Sequence, residues 1–119
     1  MGRKVNQGSK WIRADKRLAI YLRDDFCCAY CGRDLTDAPS EERTLDHVQP
    51  CSHGGSNEAY NLVTACRSCN SARQDTPLRT WVRTRGLDVA AVINRVTRQR
   101  RRALAPYRAE ARRTMEHAA

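Results

Sequence analysis

Cys28-Ala29-Tyr30-Cys31-Gly32 and Cys66-Arg67-Ser68-Cys69-Asn70, with 34 residues between their cysteine pairs, are the stretches on which the fold turns. Each pair of cysteines leaves the two-residue gap that lets both thiolates reach one tetrahedral ion, so Cys28, Cys31, Cys66 and Cys69 make a complete four-sulfur set. Gly32 suits the tight reversal of a knuckle turn. The other two of the six cysteines, Cys27 and Cys51, read as ordinary small residues. The first 23 residues carry seven basic side chains and no apolar run, so no secretory leader is expected. A reducing compartment and a structural Zn²⁺ therefore account for the cysteines better than disulfides do. The interval is longer than the roughly 15–20 residues of a common zinc ribbon. A substantial insert is expected there, its two ends tied together by the ion.

The insert opens on a polar loop and continues as Arg43-Thr44-Leu45-Asp46-His47-Val48, which reads as a short strand ended by Gln49-Pro50. Cys51 to Glu58 is a loop with Gly54-Gly55, and Ala59-Tyr60-Asn61-Leu62-Val63-Thr64 is a second strand rich in β-formers. After Cys66 the pattern turns helical to about Arg73. Strand, strand and helix on a metal clamp define an α+β fold. Within it His47, Asn61 and Asn70 stand out, with Asp46 beside the first. Asn70 directly follows a thiolate ligand, so the ion would fix its position closely.

Outward from the clamp, the charge is uneven. The 119-residue chain carries a net +9, divided as +6 over residues 1–23, −5 over 24–75 and +8 over 76–119. Basic flanks around an acidic middle suggest separate chemistry held against a polyanion. Asp15 is expected to cap a helix through Leu22. Thr76-Pro77 should start another helix that Gly86 ends, and Asp88 should cap a third, in which Val89, Val92, Ile93 and Val96 form an apolar stripe. A last helix follows Pro106. The far end of the third, Arg98-Gln99-Arg100-Arg101-Arg102, is the densest positive patch. His53 is a candidate phosphate contact in the insert loop. No apolar run approaches the roughly twenty residues of a membrane span.

Asp46-His47-Val48-x-Pro50-x-Ser52-x-Gly54-Gly55, then Asn61-Leu62-Val63, then Cys66-x-x-Cys69-Asn70 resembles the HNH endonuclease signature in its His-Asn-Asn form. Arg17 through Arg23-Asp24-x-Phe26-x-Cys28-x-Tyr30-Cys31-Gly32 is similar to the usual lead-in, and Asp75-Thr76-Pro77 with Trp81 to the usual continuation. The match covers about residues 13–84. It implies a ββα-metal core on a four-Cys zinc knuckle, flanked by N- and C-terminal helices. On that basis residues 1–10 read as a disordered basic arm, 11–85 as the nuclease domain and 86–119 as a basic helical extension.

By resemblance His47 is the general base, a residue type that titrates near neutrality. Asp46 and Asn70 would hold a hard divalent cation, Mg²⁺ or Mn²⁺, through oxygen, and Asn61 would orient His47 or the loop around it. Asn70 stands where many members have His, and Arg73 where Lys is common. Arg73, His53, Arg98, Arg100, Arg101 and Arg102 are the expected DNA contacts. Because neighbours on a strand face opposite ways, the strand should distort or end at Asp46-His47. The implied function is metal-dependent cleavage of DNA by phosphodiester hydrolysis, leaving 5′-phosphate and 3′-hydroxyl ends. The alternatives are a zinc-knuckle DNA-binding module without catalysis and a nuclease specific for branched DNA. A bacterial or phage origin, a cytoplasmic setting and a partner such as a phage packaging protein would fit. The oligomeric state and the choice between nicking and double-strand cutting stay open.

Overall fold

The computed structural model describes residues 12–118, and the expected arm at residues 1–10 lies outside them. The chain enters through helix α1 (Ala14–Arg23), turns into the first cysteine knuckle, and reaches strand β1 (Arg43–His47). After the loop comes strand β2 (Leu62–Cys66), antiparallel to β1 in a regular register from Arg43 opposite Cys66 to His47 opposite Leu62. Helix α2 (Arg67–Arg73) leaves β2 directly. Cys66 is its N-cap, and the Cys66 Sγ accepts from the Cys69 N–H at 3.4 Å. Helices α3 (Leu78–Arg85), α4 (Val89–Arg101) and α5 (Ala105–Ala118) complete the α+β arrangement. Among the described residues no helix is long and apolar enough to cross a membrane.

Local expectations fared unevenly. Asp88 caps α4, its Oδ1 accepting from the Ala91 N–H at 3.1 Å. Gly86 ends α3 in the left-handed region at φ 77°, where a side chain would be strained. Asp15 does not cap α1: the helix begins at Ala14 with Arg13 as N-cap. Asp15 instead accepts from Arg108 Nε at 3.2 Å and Arg112 Nε at 3.1 Å, fastening α5 to α1. The second strand also starts later than Ala59. Ala59–Asn61 form a 3-10 turn, because the Asn61 side chain is drawn into the preceding loop.

The sheet divides the core in two. On one side Val63 and Ala65 pack with Cys28, Tyr30, Leu35, Trp81, Val82, Val92 and Val96. On the other Leu45 and Leu62 pack with Ile12, Ile20 and Tyr21. The stripe on α4 thus belongs to the same core as the cysteine clamp. Between α1 and β2 lies a fully buried ion pair. Arg23 donates to both carboxylate oxygens of Asp24, from Nε at 2.6 Å and Nη2 at 3.1 Å, and to the carbonyls of Ala59 and Leu62 at 3.0 and 2.7 Å. Asp24 Oδ2 accepts from the Thr64 N–H and hydroxyl, both at 2.9 Å. The Arg-Asp of the lead-in is therefore the rivet that holds α1 to the strand.

Candidate functional site

The four sulfurs of Cys28, Cys31, Cys66 and Cys69 lie within 4.8 Å of one another. Cys28 and Cys31 come from the knuckle after α1; Cys66 ends β2 and Cys69 sits in the first turn of α2. The Ala29 N–H donates to Thr64 O at 2.9 Å, which joins the knuckle to β2. Arg95 of α4 crosses over to donate to Ala29 O at 3.1 Å and Tyr30 O at 2.7 Å. The Cys69 thiol beside Cys28 draws the latter down to about 5, and the same contact pushes Cys69 well up. Such unequal thiols in one cluster are what a divalent cation would equalise, by taking all four as thiolates.

β1 ends at His47, but its ladder runs without a bulge through Asp46 opposite Val63 and His47 opposite Leu62, so the expected distortion is absent and the two side chains leave on opposite faces. His47 and Asp46 turn to different partners. The His47 Nε2 meets Asn57 Oδ1 at 2.8 Å and Cys51 Sγ at 3.3 Å. Both belong to the loop between the strands, and neither was singled out from sequence. Asn61 closes that loop. Its Oδ1 accepts from the Gln49 N–H at 2.8 Å, and its Nδ2 donates to Gln49 O at 3.0 Å and Ser56 O at 2.9 Å. Gly55 makes the closure feasible, since a Cβ there would stand 1.7 Å from Gln49 O and 2.8 Å from Asn61 Nδ2.

Asp46 is buried against Tyr30, Arg73 and the first core. Its Oδ2 accepts from the Tyr30 hydroxyl at 2.5 Å and Arg73 Nη1 at 2.7 Å. Burial pushes this carboxyl above its ordinary value, against the pull of the Arg73 guanidinium and the Tyr30 hydroxyl. The neighbour on α2, Asn70, donates from Nδ2 to Thr44 Oγ1 at 2.9 Å and Leu45 O at 3.3 Å. Asn70 and Arg73, three apart on α2, thus face β1 together.

Arg73, expected to reach DNA, is fully buried. Its guanidinium donates to Asp46, Tyr30 Oη, His47 O and Val48 O, and its Nε to Thr76 O at 3.0 Å. A cation with every nitrogen occupied inside the protein offers nothing to a phosphate, so this expectation is corrected. Sequence could not reveal it, because an Arg on a short helix reads as a surface residue. His53 is exposed on a 3-10 turn (Cys51–His53), its carbonyl accepting from Gln49 Nε2 at 2.6 Å. In the basic patch Arg98 and Arg101 are exposed. Arg100 sits 3.9 Å over the ring of Tyr60 and donates to Tyr60 O at 2.7 Å. Arg102 donates to Arg23 O at 2.6 Å and Asp25 Oδ2 at 3.2 Å.

Residues 28–76 match the family model described as HNH endonuclease. Over 102 residues the chain is 34% identical to the CRISPR-associated endonuclease Cas9 of Corynebacterium diphtheriae, covering 84% of this chain and 9% of that protein. It is 34% identical over 74 residues to the Cas9 of Actinomyces naeslundii, covering 61% and 6%. It is 30% identical over 59 residues to YoqL of Bacillus subtilis, named as an SPbeta prophage-derived HNH endonuclease, covering 45% and 26%. The chain spans less than a tenth of both Cas9 relatives and about a quarter of YoqL. The clamp, the two strands and α2 are an HNH endonuclease domain.

Proposed function

We propose that this HNH domain acts as a metal-dependent DNA endonuclease, with His47 as the general base for hydrolysis of a phosphodiester. The observation that carries the reading is a four-sulfur clamp that ties together a histidine at the end of β1, a closed loop that grips it, and two oxygen-bearing side chains, Asp46 beside it on β1 and Asn70 on α2. Zn²⁺ fits the clamp. Zn–S bonds of about 2.3 Å imply sulfur–sulfur edges of roughly 3.8 Å, and Cys31 Sγ lies 3.8 Å from Cys66 Sγ.

A second cation fits the oxygens of Asp46 and Asn70. Asp46 Oδ2 is committed to Tyr30 and Arg73, which leaves Oδ1 as the donor atom, and the Asn70 bonds all run through Nδ2, which leaves its Oδ1. Two hard oxygens suit Mg²⁺ or Mn²⁺. When bound, such an ion would offset charge on the transferring phosphorus centre and the leaving oxygen. His47 takes the proton of the attacking water, and the 3-10 turn and Asn61 keep the loop from moving the imidazole away. Arg73 holds the β1 end through the His47 and Val48 carbonyls and fixes the Asp46 rotamer. Products ending in 5′-phosphate and 3′-hydroxyl follow from the family chemistry.

Exposed Arg98 and Arg101, with Arg100 and His53, would supply phosphate contacts that give affinity without sequence information. Binding should then weaken steeply with salt. Bacterial relatives support a bacterial or phage-infected cell as the setting. The test is plasmid relaxation with Mg²⁺ or Mn²⁺, comparing the protein with His47→Ala. Cleavage by the wild type alone supports the proposal, and equal cleavage by both overturns it. Retarded but intact plasmid in both lanes would identify a binding module instead. Linear against branched duplex, as substrates, decides whether junctions are preferred.

A further inference from the structure

We propose that Asn57 is a positioning residue for the general base: it fixes the rotation of the His47 ring by accepting a hydrogen bond from Nε2, and helix α1 holds it there. This rests on His47 being the base. A short contact of 2.8 Å joins Asn57 Oδ1 to His47 Nε2. An amide oxygen can only accept, so the pair places an imidazole proton on Nε2 and selects the tautomer. Asn57 lies on an exposed loop, where a side chain of this kind would ordinarily sample several rotamers. Here its backbone is anchored from outside the loop. Lys16 Nζ of α1 donates to Asn57 O at 2.8 Å, across 41 residues of sequence. Two and three residues further on, Arg23 and Arg100 donate to the carbonyls of Ala59 and Tyr60 at 3.0 and 2.7 Å. From the other side Asn61 Nδ2 ties Ser56 O at 2.9 Å. Asn57, which shares the His47 Nε2 with the Cys51 thiol, is therefore bracketed by four side chains from α1, α4 and the loop exit. That explains why a short basic segment before the knuckle bears on the chemistry: the first helix reaches the base through one amide.

The experiment compares wild type, Asn57→Leu, Asn57→Asp and His47→Ala in metal-dependent plasmid cleavage, and records the His47 ring by long-range ¹H–¹⁵N NMR. Asn57→Leu, which removes the acceptor at similar size, should lower kcat about 10–100-fold with KM and the thermal midpoint unchanged. Its His47 signals should shift from a single Nε2–H tautomer to a mixture. Asn57→Asp keeps an acceptor and should stay within a few-fold of wild type. Wild-type cleavage by Asn57→Leu, equal losses in Leu and Asp, or an NMR spectrum unmoved by Asn57→Leu would each overturn the proposal. If instead His47→Ala cleaves as fast as wild type, the base assignment fails, and the tautomer measurement still decides whether Asn57 governs the ring.

Discussion

Replacing Asp24 by Asn removes one negative charge from a place with no water to take its role. Arg23 and Asp24 are 0% and 2% exposed. Asp24 receives two bonds from Arg23 and two from Thr64. Asparagine keeps the shape but can offer only one oxygen, and the guanidinium is left as an uncompensated buried charge. Breaking one side of such a pair costs about 3–5 kcal/mol, a large part of the roughly 5–15 kcal/mol that holds a small domain together. With an m-value of about 1.5 kcal/mol/M for a chain of this size, the urea midpoint should fall by roughly 2–3 M. The melting temperature should drop by about 10–15 °C. The assay is far-UV circular dichroism at fixed protein and zinc concentration, since metal binding itself shifts the transition. Glu42→Gln is the control. It breaks the Arg33–Glu42 pair at 3.0 Å, whose side chains are 47% and 26% exposed, and should cost under about 1 kcal/mol. Replacing both members of the buried pair by Met and Leu should be milder than Asp24→Asn, because no charge is then stranded. A loss from Asp24→Asn as small as the control's would refute the view of this pair as the rivet between α1 and β2.

Other expectations are smaller in scope. For Asp15, burial acts to raise the carboxyl, but hydrogen bonds from Arg108 and Arg112 outweigh it and hold it at about 2, below its ordinary 3.8. Its contribution is therefore complete above about pH 4 and lost as pH falls towards 2. The shift sets a ceiling of roughly 2 kcal/mol, which the exposure of the two arginines cuts to about 1 kcal/mol. Asp15→Asn should flatten the acid limb of the stability curve between those pH values, and an unchanged limb would count against the α1–α5 clasp. Chelation of the clamp metal should unfold β1, β2 and α2 together, seen as loss of ellipticity restored by one equivalent of Zn²⁺; ellipticity indifferent to chelator would show that the core stands without the ion. In metal-loaded protein, N-ethylmaleimide should alkylate exposed Cys51 beside His47 and lower cleavage by about tenfold or more, while Cys51→Ser should be spared.

Much of this was legible in the chain because its signals are local. Cysteine spacing marked the clamp, β-formers marked most of β2, and Asp88 and Gly86 marked helix ends through bonds to residues three or four away. What escaped were choices made across the fold. Asp15 looked like a cap because a carboxylate at a helix start usually is one, yet two arginines more than ninety residues away claim it. Arg73 looked solvent-facing because a seven-residue helix gives no period from which to read a buried side. Asn57 sits in an unremarkable polar loop, and only the position of His47 gives it meaning. The late start of β2 has the same origin, since Asn61 serves the loop before it can serve the strand.

The reach of α4 across the knuckle bears on how this nuclease fold can be moved between proteins. The segment that defines the family ends at residue 76, but Val92 and Val96 fill the core beside the cysteines, and Arg95 satisfies the Ala29 and Tyr30 carbonyls. Gln99 Nε2 adds a bond to Cys27 O at 3.0 Å. A graft cut at the family boundary would carry the reactive groups and leave an open hydrophobic flank. The transplantable cassette is the longer one, running from α1 through α5, which Arg108 and Arg112 fasten to α1, because the residues proposed for the chemistry and the residues that let them stand are not the same stretch of chain.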